Sequence, residues 1–267
     1  MDNRPIGVMD SGLGGLSVIR VLREEMPHES IIFVGDQGNF PYGIKTREQI
    51  QKLALRIGRF LVTKKVKLMI IACNTATAAA FQLLQEQLPI PVIGVIEPGA
   101  RAAVQHQYDK IGVIGTESTI KNGAYKKTLT KLDPSVTVIS HPTQPLVSIV
   151  EHGQTGTIMA QDAVNKELQV FDGQAIQALI LGCTHFPFLQ KEISNKLGAN
   201  VQLIDPAFET IRQARNLLTS EKRLSNNLSP IIDLYSTGDV NELIAGAQKW
   251  LPNGYTKCDH IRLNEEG

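Results

Sequence analysis

Two of the three cysteines in the chain occupy the same local setting. The stretch "LMIIACNTATAAA" carries an apolar run to Cys73 and continues with Asn74 and Thr75. The stretch "ALILGCTHFPFL" carries another apolar run to Cys183 and continues with Thr184 and His185. Each cysteine is expected where a strand stops and a helix starts, because Asn74, Thr75 and Thr184 are good N-cap residues. A helix start presents unpaired N–H groups and partial positive charge. It binds a carboxylate and draws a thiol pKa from about 8.5 toward neutrality. A lone cysteine more often fills a core, and Cys258, which has no such setting, is read that way. Two at matched strand ends ask for a paired role.

Two opposed thiols have a definite chemistry. With the Cα of an amino acid between them, one thiolate removes the Cα proton from one face. The other, as a thiol, returns a proton to the opposite face, and the reverse reaction swaps the roles. N–H and hydroxyl donors on the substrate carboxylate stabilise the carbanion. The site must then be almost symmetric about its substrate.

The elements that would position the thiols repeat along the chain. Short β-branched runs ("RPIGVMD", "SIIFVGD", "VKLMIIAC", "PVIGVIEP") alternate with helical patterns. In "REQIQKLALRIGRFLVTKK" the apolar residues at 50, 53, 54, 57, 60 and 61 have helical spacing. Such alternation predicts a parallel sheet flanked by helices. The pattern then starts again. "KIGVIGTEST" mirrors "PIGVMDSGLG", "SVTVISHP" mirrors "SIIFVGDQ", "QALILGCTHF" mirrors "KLMIIACNTA", and "NVQLIDPA" mirrors "PVIGVIEPG", at offsets of 105, 105, 110 and 109 residues. The expected fold class is α/β, as two pseudo-symmetric parallel-sheet α/β domains facing each other across a cleft. The first is expected to comprise 1–97 plus 207–267, since the last sixty residues have no counterpart in the second unit. The second is expected over 98–206.

Ligands of open parallel sheets bind beyond the carboxyl ends of the strands. The residues there are Asp10, Ser11, Asp36, Cys73, Asn74, Thr75, Thr116, Cys183, Thr184 and His185, with Glu97 and Asp205 at the last strand of each unit. Asp10 is placed to orient Cys73 or the substrate ammonium. His185 is placed to exchange protons with Cys183, and Glu151, in "SIVEHG", to polarise His185. His152 beside it has an equally open assignment, and an exposed helix carboxylate is the competing reading for Glu151.

Other chemistries fit less well. "DSGLGG" follows a strand and precedes a helix, yet it matches neither dinucleotide nor P-loop spacing, so Gly12, Gly14 and Gly15 are read as allowing close approach to a small ligand. A zinc site from Cys73, Cys183 and His185 lacks a C-x-x-C pair, and no metal is expected. A Cys183–His185 nucleophile leaves Cys73 idle. No lysine stands in a convincing setting for pyridoxal phosphate, so no cofactor is expected. The 27 Lys+Arg against 26 Asp+Glu, one Trp and apolar runs too short for a bilayer argue against nucleic-acid and membrane partners. Three cysteines and no leader-like N-terminus predict free thiols and a cytoplasmic location. A two-lobed ligand-binding protein is the reading in which both cysteines are incidental.

Taken in order, "DSGLGG", "VGD" followed by "PYG", "ACNTA" and "GCTHFP" resemble the signature motifs of the glutamate racemases, within the aspartate/glutamate racemase family. The resemblance runs from about residue 5 to 210. It implies cofactor-independent interconversion of L- and D-glutamate, supply of D-glutamate for peptidoglycan and hence cell shape, a cytoplasmic location and a homodimer. By motif it makes Cys73 the acid/base on the D-glutamate face and Cys183 the one on the L-glutamate face, assisted by Asp10, Glu151 and His185. Asp10, Ser11, Pro41, Tyr42, Gly43, Asn74, Thr75, Thr184 and His185 would bind substrate. Glutamate also needs a longer pocket than aspartate, and Thr116 and Thr119 are placed to serve its side-chain carboxylate. A related two-thiol racemase for aspartate or another small acid is the alternative.

Overall fold

The computed structural model of the chain describes residues 1–251 and 254–263. The first half runs β1 (Ile6–Asp10), α1 (Leu16–Glu25), β2 (Ile31–Gly35), α2 (Arg47–Thr63), β3 (Leu68–Ile71), α3 (Asn74–Gln87), β4 (Val92–Gly94) and α4 (Ile96–Val104). The second half begins with β5 (Lys110–Gly115), α5 (Glu117–Asn122), α6 (Ala124–Leu132), β6 (Thr137–Pro142), α7 (Gln144–Glu151) and α8 (Ile158–Glu167). It continues with β7 (Ala178–Gly182), α9 (Gln190–Leu197), β8 (Gln202–Ile204) and α10 (Pro206–Ser220). The C-terminal part adds β9 (Ile232–Ser236), α11 (Val240–Trp250) and β10 (Lys257–His260).

Two sheets result, and every strand pair in both is parallel. One has the order β10-β9-β2-β1-β3-β4 and the other β6-β5-β7-β8. The order β2-β1-β3-β4 is thus repeated as β6-β5-β7-β8, so the repeat seen along the chain is a repeat of topology. β9 extends the first sheet at β2, with Ile232 opposite Ile31. β1, β2, β3, β7 and β9 are buried along their whole length, which is why they read as continuous apolar runs rather than alternating ones.

Helices cover both faces of each sheet. α2 starts with a capping box between Thr46 and Gln49 and buries Ile50, Ala54, Ile57 and Leu61 against one face of the first sheet. α1 and α10 cover the other, with Leu16, Ile19, Ile211, Ala214 and Leu218 in one apolar cluster with Val8, Phe33 and Ile70. α4 turns its Ile96, Ala100 and Ala103 to the core of the second sheet, beside Ile111, Val113 and Ile180. The expected strand over 91–98 therefore ends early. Its first residues form β4, and Glu97 lies on α4, paired with Arg101 one turn on, away from the strand ends. Trp250 of α11 stacks on Phe188, just past Cys183, at 4.1 Å and 16°. Among the described residues no helix is long and apolar enough to cross a membrane.

Candidate active site

Cys73 follows β3 and is itself the N-cap of α3, its Sγ accepting from the Ala76 N–H at 3.4 Å. The expectation that Asn74 and Thr75 would cap this helix is not met. The turn closes one residue earlier and leaves both side chains free to cross the cleft. The Cys73 thiol donates to Ser11 Oγ at 3.6 Å.

Cys183 follows β7 directly, but no α-helix starts there. A 3-10 turn over Phe186–Leu189, with Pro187 near its start, intervenes before α9. Thr184 is accordingly not an N-cap. Its hydroxyl donates to Asp10 Oδ1 at 3.2 Å, across the cleft. His185 Nδ1 lies 3.5 Å from Cys183 Sγ, and its Nε2 makes a short hydrogen bond with Glu151 Oε1 at the end of α7.

The contacts between the halves follow the pseudo-symmetry. Thr184, after the second cysteine, reaches Asp10 at the end of β1. Thr75, after the first, reaches Thr116 at the end of β5, the equivalent strand, at 2.9 Å. Thr119 closes a triangle of hydroxyls, 3.1 Å from Thr75 and 2.9 Å from Thr116. Tyr125 donates to Asn74 Oδ1 at 2.7 Å. Both thiols, Ser11, Pro41, Tyr42, Gly43, Asn74, Thr75, Thr116, Thr184 and His185 line a single narrow cleft. Tyr42 is held from behind by Asp36, which accepts from its hydroxyl at 2.5 Å and from Thr237 at 2.6 Å. Asp36 therefore sits at a strand end without facing the cleft. Asp205 caps α10 through the Ala207 N–H at 2.9 Å, and His152 Nδ1 contacts the Ser148 carbonyl of its own helix at 2.7 Å. The strand-end reading missed Phe40, Gln144 and Val147, which also line the cleft. Gln144 had a signal of its own, since it starts the helix after β6.

The glycines of "DSGLGG" do something other than admit a ligand. A methyl group on Gly14 would come within 2.2 Å of Thr184 Oγ1 and 2.8 Å of His185 Nδ1. The bare backbone at Gly14 lets the Cys183 loop dock on the β1–α1 turn, where the Ser17 hydroxyl meets the Gly14 and Thr184 carbonyls at 2.9 and 3.1 Å.

The electrostatics differ at the two ends. Burial raises the Asp10 carboxyl from 3.8 to about 6, against the pull of His185 and of the Gly12 N–H. Burial, and then the Asp10 charge, push the Cys73 thiol up to about 12. The helix start and Ser11 oppose this and are outweighed, so the expected lowering does not hold at Cys73. Its thiol is thereby held in the protonated form. At His185, burial favours the neutral ring. The charge of Cys183, the hydrogen bond to it and the Glu151 carboxylate outweigh burial and raise the imidazole well above its usual range. Among the described residues no three His, Cys, Asp or Glu side chains are grouped to hold a metal ion.

A cleft lined by two thiols at duplicated strand ends has relatives. The family model described as Asp/Glu/Hydantoin racemase matches residues 6–214. The chain belongs to this racemase family. A glutamate racemase of Limosilactobacillus reuteri is 77% identical over 267 residues, covering 100% of both chains. One of Limosilactobacillus fermentum is 55% identical over 266 residues, covering 99% of each. Among solved structures, a glutamate racemase of Bacillus anthracis superposes with a TM-score of 0.94 at 39% identity, covering 98% of this chain and 99% of that one. A glutamate racemase of Francisella tularensis in complex with D-glutamate gives 0.92 at 36% identity, covering 99% of both. The racemase fold here is therefore two parallel-sheet α/β domains, as in those structures.

Two outcomes follow from this geometry. In Gly14→Ala the added methyl displaces Thr184 and His185, and racemase turnover is expected to fall on the order of a hundredfold, the scale of a 1 Å misplacement. The second concerns pH. A carboxyl whose folded pKa is above its unfolded one contributes stability that is complete below the unfolded value and is lost as pH rises through the folded value. For Asp10 the window is from about 4 to about 6, and the rise from 3.8 to about 6 corresponds to roughly 3 kcal/mol. Urea unfolding across that window should show Asp10→Asn losing less stability with rising pH than the parent chain.

Proposed function

We propose that the cleft interconverts L- and D-glutamate without a cofactor, using Cys73 and Cys183 as the two acid/base groups. The single observation that carries this reading is that both thiols, at equivalent places in two copies of one sheet topology, line one cleft. Glutamate as the substrate is supported by the names of the relatives at 77% and 55% identity and by the D-glutamate complex of the Francisella protein.

In this reading Cys73 serves the D-glutamate face and Cys183 the L-glutamate face. From D-glutamate, the Cys73 thiolate takes the Cα proton and the pair of the broken C–H bond stays on the substrate as a carbanion. The Cys183 thiol then gives its proton to the opposite face, and L-glutamate leaves with the two sulfurs exchanged in protonation. The opposite direction reverses each step. His185 receives or returns the Cys183 proton, and Glu151 holds the imidazole in line. The first N–H groups of α3 and the Asn74 amide bind the α-carboxylate and stabilise the carbanion, and Thr75 lines the cleft beside them.

The high pKa of Cys73 has a function here. The Asp10 charge is one of its two main causes. A substrate ammonium beside Asp10 neutralises that charge and so lowers the cost of the Cys73 thiolate when substrate is present. The thiol is thereby kept protonated, and unreactive toward oxidants, in the empty cleft.

The same reading assigns the catalytic pair to a division of the chain into 1–97 with 207–267 and 98–206. It also places the enzyme in the cytoplasm as a homodimer supplying D-glutamate for peptidoglycan. Three free thiols support a reducing compartment.

The test is polarimetry of purified protein with L-glutamate and no added cofactor. Loss of optical rotation is expected, with deuterium from heavy water at Cα of the newly formed enantiomer. Cys73→Ser and Cys183→Ser should each lower turnover by at least about a hundredfold, the usual worth of a general acid or base. Absence of turnover by the parent chain, or full turnover by either variant, would overturn the proposal.

A further inference from the structure

Helix α7 turns one face to the cleft. Glu151, at its end, holds His185. Val147, one turn earlier, lines the cleft, and so does Gln144 at its start. Positions 144, 147 and 151 share a face by helical spacing. Gln144 is the one with an unmet need: its Oε1 is buried and has no hydrogen-bond partner among the described residues. A buried polar atom of this kind is costly unless something binds it.

The place of this atom is defined. A Cβ built on Gly43 would lie 2.6 Å from Gln144 Oε1 and 3.1 Å from Thr116 Cβ. The amide therefore closes the end of the cleft formed by Gly43 and Thr116. A half-turn of the amide puts Nε2 where Oε1 lies, so the group presents either an acceptor or a donor there.

The charge pattern decides which. The substrate proposed above carries two carboxylates and one ammonium. Asp10 meets the ammonium, and the start of α3 meets the α-carboxylate. The distal carboxylate is left for the other end, and no lysine or arginine is among the described residues that line the cleft. It must be bound by neutral donors. The hydroxyls of Thr75, Thr116 and Thr119 have three protons and make three bonds to one another, so none can donate outward without breaking the triangle. Of the lining side chains with N–H groups, Asn74 accepts from Tyr125 through its Oδ1 and keeps its amide N–H groups at the start of α3, where the α-carboxylate is proposed to bind, and His185 lies between Cys183 and Glu151. Gln144 is the remaining one.

We propose that the Gln144 amide donates to the distal carboxylate of the substrate and is the residue that reads substrate length. This rests on the racemase reading and deepens it. On this assignment the amide, at the Gly43–Thr116 end of the cleft, engages the carboxylate of the five-carbon diacid and not that of a four-carbon one.

The experiment uses Gln144→Leu, which keeps the bulk, and Gln144→Glu, which keeps the shape but replaces the donor with a like charge. Steady-state racemisation of L-glutamate is measured on the parent and both variants, with thermal unfolding as the check that each folds. Calorimetric binding of D-glutamate and of norvaline, which has a methyl in place of the distal carboxylate, is measured in parallel. A hydrogen bond to a charged group corresponds to about ten- to a hundredfold in affinity. The expected result in Gln144→Leu is a rise of that size in the glutamate KM and Kd, with kcat within about threefold and the norvaline Kd unchanged. Gln144→Glu should lose more. An unchanged glutamate KM and Kd in either folded variant, or an equal loss for norvaline, would overturn the assignment. If Gln144→Leu does not fold, Gln144→Glu alone decides by the same criteria. A parent chain that does not racemise glutamate fails the racemase reading instead, a different outcome from a parent that turns over and a variant that behaves like it.

Discussion

The proposed reaction sets one geometric constraint to which the rest of the fold answers: two sulfurs must approach one carbon from opposite sides. A single parallel sheet cannot do this, because its strand ends all point the same way. Two copies of the sheet, turned so that their carboxyl ends face each other, can. The hydrogen bonds from Thr184 to Asp10 and between Thr75 and Thr116 join each cysteine loop to the central strand of the opposite sheet. They are buried, and a buried polar group left without its partner is costly, so each loop is held in register with the facing strand. The narrowness of the cleft follows from the same contacts, and the core clusters behind β1, β3, β5 and β7 keep these strands from yielding.

Within that near-symmetric frame the electrostatics are asymmetric. Cys73 lies against Ser11 and near the Asp10 charge, and its thiol is held protonated. Cys183 lies against His185, whose imidazolium is favoured by the sulfur on one side and Glu151 on the other. In the proposed inversion this asymmetry is tolerated, since each sulfur would have its own route for a proton and would meet its own enantiomer. In the same proposal the substrate ammonium is the counter-charge at Asp10, so that binding and activation of Cys73 would be one event.

Much of this was legible in the residue order. Matched segments at near-constant offset announced both the duplication and the equivalent places of Cys73 and Cys183. The strand-end rule then gathered most of the cleft, because parallel strands bury their length and leave only their ends for chemistry. What escaped had identifiable physical causes. Pro187 and the docking of Thr184 on Asp10 replace the expected helix start after Cys183 with a 3-10 turn, a contact between residues 174 apart that no local pattern reveals. Gly14 is small for the sake of Thr184 and His185, equally distant in the chain. The helix start at α3 does pull on Cys73, yet burial and Asp10 act more strongly, and burial depends on the whole fold. Gln144 stood outside any motif, its one signal being its place at the start of the helix after β6.

The most direct measurement is a crystal structure of this chain with D-glutamate bound. The expected arrangement has Cα between the two sulfurs, each within hydrogen-bond reach of its proton and about 3.5 Å from the carbon, on opposite faces of the stereocentre. Finding both sulfurs on one face, or either of them out of reach of Cα, would contradict two-thiol inversion.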